Sequence, residues 1–183
     1  MAAARGLRRL GAAGALGGLA FLAGLAFRPA PAMWREISWP FPRDAWPPGL
    51  AFACSQPACG GEVELFVRPK RGFCANCDTG VTSDAEVDGV ADLDMITPEF
   101  TPVATGAPVA VGDLAGRRRA YTLLLPQGRQ SPALGIAMTR RKQCDLVVAV
   151  AIGASSAPAQ DAIAAMLASD RVTTWISRQL DGR

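Results

Sequence analysis

Cys144-Asp145-Leu146-Val147-Val148-Ala149-Val150-Ala151-Ile152 is the stretch that decides the fold. After Asp145 the run is apolar throughout, which predicts a central β-strand. Two more strand candidates precede it, Arg119–Leu125 and Ala133–Thr139. Pro126-Gln127-Gly128 supplies the turn between those two, and the basic Arg140-Arg141-Lys142 stretch supplies the next. Two helices follow. Ser156 with Pro158 opens one that runs toward Ala168. Ser169-Asp170 starts another, with Val172, Trp175, Ile176 and Leu180 on one face. Strands followed by helices predict an α+β fold, a small antiparallel sheet with the C-terminal helices packed on one face.

Upstream the signals are more local. Residues 97–112 contain three prolines and two glycines and read as a connector. Ser83 is an N-cap candidate with Glu86 at the capping-box position, so a short acidic helix is expected from Asp84 to about Met95. Glu62 to Arg68 alternates with the period of a strand. It sets Val63, Leu65 and Val67 on one side and Glu62, Glu64 and Arg68 on the other, with Phe66 breaking the polar alternation. Residues 33–52 interleave Trp34, Trp39, Phe41, Trp46 and Phe52 with Pro40, Pro42, Pro47 and Pro48. Proline at that density blocks a helix and leaves irregular backbone whose aromatics cover part of a core. A docking segment for a partner is the other reading of the same residues.

Four cysteines, Cys54, Cys59, Cys74 and Cys77, lie close together in a C-x4-C-x14-C-x2-C pattern, and Cys144 stands apart inside the predicted strand. Structural disulfides are the first chemistry this pattern suits, because small exported domains staple segments that bury little apolar area. A nested pairing, Cys54 with Cys77 and Cys59 with Cys74, would suit two segments meeting around the 62–68 strand. A tetrathiolate zinc site on Cys54, Cys59, Cys74 and Cys77 is the alternative, since two thiolate pairs on opposed turns meet the tetrahedral demand of the ion. A redox-active Cys74-x-x-Cys77 is the third. Asp78 beside it disfavours a thiolate, and the expected helix begins only at Ser83. Cys144 reads most simply as a buried free thiol, or else as bonded to another chain or to the N-terminal cluster.

The compartment bears on that choice. Arg5, Arg8 and Arg9 precede an apolar run from Leu10 to Phe27, and Ala30-Pro31-Ala32 forms an Ala-x-Ala cleavage signature before Met33. Residues 1–32 therefore read as an export signal and 33–183 as a single exported α+β domain. Within that domain, 33–96 form a Trp/Pro- and Cys-rich half and 113–183 the sheet with its C-terminal helices. The rival is an inner-membrane anchor through residues 10–27, at the short edge of a spanning helix. Arg8-Arg9 also resembles the start of a twin-arginine signal, a route that exports folded protein and would favour metal.

The leader accounts for the positive balance. The whole chain has 19 basic and 16 acidic residues. Arg5, Arg8, Arg9 and Arg28 lie in the first 32, leaving 15 basic against 16 acidic, so nothing points to nucleic acid. Charge is nevertheless segregated. Seven acidic and no basic residues lie between Asp78 and Glu99, and seven basic and no acidic between Arg117 and Lys142. The two regions either dock on each other or form separate partner patches.

The chain has no histidine, which excludes a Ser-His-Asp triad, a Cys-His pair and any His-ligated metal from its own residues. Asp84 to Gly89 looks like the start of an EF-hand loop, but Met95 stands where the bidentate Glu belongs. No phosphate loop or nucleophile elbow occurs. The function expected is a periplasmic or secreted, non-catalytic binding or accessory protein held by disulfides, with an unidentified periplasmic protein as partner and no cofactor. The alternative is a cysteine-cluster protein that binds zinc or another thiophilic metal, or a thiol-redox factor.

Overall fold

The apolar run quoted above forms the central strand of the computed structural model, which describes residues 34–41, 47–72, 79–140 and 144–182. In chain order the strands are β1 (Arg35–Ile37), β2 (Leu50–Cys54), β3 (Val63–Lys70), β4 (Phe100–Pro102), β5 (Ala107–Val111), β6 (Leu114–Leu124), β7 (Gln130–Arg140) and β8 (Leu146–Ile152). The helices are α1 (Asp84–Val90), α2 (Ala157–Leu167) and α3 (Asp170–Asp181). The strands make one antiparallel sheet in the order β1-β2-β3-β8-β7-β6-β4, with β5 also on β6. β8 thus lies between β3 and β7, remote from both edges, where a strand must be apolar on both faces.

The two C-terminal helices pack on one face, as the sequence predicts. Both start on serine caps. The Ser156 hydroxyl accepts from the Ala159 N–H at 3.2 Å, and that of Ser169 from the Val172 N–H at 3.4 Å. They bury Ile163, Leu167, Val172, Ile176 and Leu180 against Leu65, Val67, Ile136, Met138, Val147 and Ala149. At about 1.5–3 kcal/mol for each large aliphatic side chain removed from water, this face is the main source of stability.

The opposite face is covered as well. Val87, Ala91 and Leu93 pack with Tyr121, Leu123, Ala137, Val148 and Val150. Gly135 lets this layer close: a Cβ there would lie 2.9 Å from the Tyr121 ring and 3.2 Å from the Ala91 Cβ. The capping box forms as expected, with Glu86 accepting from the Ser83 N–H at 2.7 Å and Ser83 from the Glu86 N–H at 3.2 Å. The helix stops earlier than predicted. Ala91 caps α1 and Asp92 turns the chain with a left-handed φ of 60°, after which Leu93–Met95 make one 3-10 turn.

Two stretches without a strand signal hold strands. The connector 97–112 carries β4 and β5, which satisfy the outer edge of the long β6; Pro102 and Pro108 are tolerated because an edge strand needs only one set of backbone bonds. The Trp/Pro segment carries β1 and β2, whose pairing follows from the β3 register rather than from local pattern. Its aromatics do cover the core. Trp34 packs against the helix-side cluster, and Trp39 and Phe41 meet Phe66 edge-on at 6.1 and 4.9 Å between centroids. Trp46 lies outside the described residues.

Candidate functional site

The cysteines come together differently from the nested expectation. β2 ends at Cys54, opposite Val63 of β3, and the loop between them folds back so that the Cys59 N–H donates to the Ser55 carbonyl at 3.3 Å. That return brings the two Cα atoms to 6.0 Å, within disulfide reach, and Cys54 and Cys59 are bonded. Both are buried. The bridge therefore closes the β2–β3 hairpin locally and joins no distant segments. Cys144 is disulfide-bonded too, so it is not the free thiol its apolar neighbours suggest. It precedes β8 by two residues, and the Asp145 carboxylate between them accepts the Gly72 N–H at 2.8 Å. With Cys54 and Cys59 joined to each other, the only cysteines left to the chain are Cys74 and Cys77, which lie outside the described residues.

This bears on the zinc alternative. Cys54 and Cys59 in a disulfide are not thiolates, so the four-sulfur set exists only in the reduced chain. Among the described residues no group of three or more His, Cys, Asp or Glu side chains is placed to hold a metal ion.

The segregated charges meet inside the fold. Arg117, Arg119 and Tyr121 alternate along β6 with their side chains toward α1, and Asp84 and Asp88, four residues apart, face them. Arg117 donates to Asp84 at 2.6 Å, and Arg119 to Asp88 at 2.5 Å. The Tyr121 hydroxyl donates to Asp88 at 2.6 Å. The Gly106 N–H at 2.9 Å and the Arg117 guanidinium hold the Asp84 carboxyl below its ordinary range. Burial, together with the Asp88 carboxylate, pushes the Tyr121 phenol above its ordinary value.

Asp92 continues the same stripe but meets other partners. It pairs with Arg68 at 2.6 Å and with Lys70, and all three side chains are almost fully buried, at 4–6% exposure. The Lys70 ammonium also donates to the Val90 carbonyl at 3.0 Å, placing a cation at the C-terminus of α1, whose own last turn has none. Sequence reasoning set Arg68 on the side of Glu62 and Glu64, opposite Val63, Leu65 and Val67, and did not anticipate its burial. The signal that could have corrected it is Phe66, an aromatic of the same parity, which marks where that face becomes covered.

Compared with known protein families, curated proteins and solved structures, the chain matches none. The residues themselves must therefore carry any functional statement. Asp84, Asp88 and Asp92, the three aspartates along this stripe, are each engaged by arginine or lysine. They hold α1 to the sheet, which is structural chemistry. No described helix is long and apolar enough to cross a membrane, and residues 10–27 lie outside the described set.

Proposed function

We propose that this chain is an exported, disulfide-stabilised, non-catalytic binding or accessory domain of the bacterial periplasm, with residues 1–32 removed as its signal. The observation that carries the reading is the oxidised cysteine set: Cys54–Cys59 is a disulfide and Cys144 is in another. Structural disulfides persist outside the cytosol and are rare within it. The Arg-rich, apolar, Ala-x-Ala leader supports the same compartment from the other end of the chain. The lack of histidine, with the acidic stripe committed to ion pairs, favours binding over chemistry.

One preparation tests this. Protein from the periplasmic fraction should begin at Met33, carry one free thiol out of its five cysteines, and hold no stoichiometric metal. Zinc with protected thiolates would replace this reading with the tetrathiolate alternative on Cys54, Cys59, Cys74 and Cys77. Intact residues 1–32 in the membrane fraction would replace cleavage with an anchor.

A further inference from the structure

The Arg117-Arg118-Arg119 run is split by the alternation of β6. Arg117 and Arg119 face α1, so Arg118 faces the other way, toward α2. It is partly buried, and it makes no ion pair or side-chain hydrogen bond with any described residue. It lines a cavity of about 360 Å³ between β5, the sheet and α2. Apart from Gln160 of α2, the rest of the wall is aliphatic: Val109 and Val111 from β5, Leu134 and Ile136 from β7, and Ile163 and Leu167 from α2. Ala164, Ala165 and Ala168 leave the helix side low.

We propose that this cavity is a ligand site for a small molecule with an aliphatic body and an anionic head, a medium-chain carboxylate being the simplest example, and that Arg118 binds the head. The inference rests on the binding-domain reading and names its ligand class. Three physical points carry it. Guanidinium is charged at any accessible pH, and the described residues leave its five donors to solvent or to an anion that enters the cavity. Carboxylate fits the guanidinium fork with two parallel hydrogen bonds. The volume lies at the small end of ligand pockets, and a mostly apolar wall with a few polar groups that fix orientation, here Arg118 and Gln160, is how such pockets are built. A protein helix or strand does not fit within 360 Å³, which sets a small molecule ahead of a macromolecular partner.

Calorimetric titration of the full chain, disulfides intact, with hexanoate, octanoate and decanoate tests the proposal, alongside amide chemical-shift mapping. Saturable one-to-one binding is expected, with affinity rising about fourfold per added methylene. Arg118→Gln should weaken decanoate at least tenfold, the loss of a charge-assisted hydrogen bond. Decanol should bind the wild type no better than decanoate binds that variant. Ala164→Phe, at an exposed helix position that tolerates change, should block both ligands by filling the cavity. Absence of saturable binding to the wild type, equal affinity in Arg118→Gln, or shifts mapping away from β5 and α2 would each overturn the site. Such a failure leaves the Met33 start and the thiol count untouched, whereas a reduced protein retained in the cytosol would defeat the export reading and leave the titration as it was.

Discussion

Asp92→Asn is the sharpest single perturbation of the fold. Asparagine keeps the shape and tolerates the left-handed backbone at φ 60°, so the change isolates charge from strain. The carboxylate it removes is almost fully buried between Arg68 and Lys70, which are themselves 4% and 6% exposed. Screening by solvent is therefore weak, and the estimate for a surface pair does not apply. Breaking a buried pair costs about 3–5 kcal/mol, because the interior loses a carboxylate that two buried cations share. For a domain of this size, about 2–4 °C per kcal/mol converts that to a fall of roughly 6–20 °C in Tm. Urea unfolding followed by far-UV circular dichroism gives the free energy directly. Lys70→Met in the Asp92→Asn background should restore part of the loss, since it removes one of the two cations, and the coupling should reach roughly 0.5–3 kcal/mol. A loss below about 1 kcal/mol for Asp92→Asn, or strict additivity with Lys70→Met, would refute the argument that this cluster anchors α1.

Three further outcomes follow from the same structure. Tyr121 is the only tyrosine, so alkaline absorbance of tyrosinate reports on it alone; burial and Asp88 favour its protonated form, so stability present below the ordinary phenol pKa should fall as pH rises above about 10, and Tyr121→Phe should remove that slope. Asp84 has its pKa lowered by the Gly106 N–H and Arg117, so its contribution should be intact above about pH 4 and disappear as pH falls below that value; Asp84→Asn should flatten this part of the acid unfolding curve, and an unchanged curve would show that the pair is merely solvated. Replacing Cys54 and Cys59 together by Ala should cost about 2 kcal/mol, because the bridge spans a sequence separation of only 5 and short loops return little entropy; a loss above about 4 kcal/mol in chemical denaturation would mean that the bridge also supports α2.

Cys144–Ile152, the serine caps of α2 and α3, and the Ser83–Glu86 capping box were legible because each is a local pattern with a local cause. The turn at Pro126-Gln127-Gly128 was legible for the same reason, and it places Gln127 and Gly128 at positive φ. β2 and β5 were not legible. Their residues are Leu-Ala-Phe-Ala-Cys and Ala-Pro-Val-Ala-Val, which have no firm alternation, and they become strands because an edge of β3 or β6 offers backbone partners. The docking of acidic on basic segments was visible as a possibility from composition, but not its pairings. Asp92 leaves the 117–142 region for Arg68 and Lys70, and Arg118 leaves α1 for the opposite face.

The sequence by itself determined the class of fold, the succession β6, β7, β8, α2 and α3, and the exclusion of histidine chemistry from the chain's own residues, since composition and local periodicity suffice for these. Only the tertiary structure decided which cysteines pair, which charges are buried and which arginine is left facing an aliphatic cavity. Those depend on cross-strand register and on which face each residue takes when distant segments meet, and a shift of one residue reverses the face.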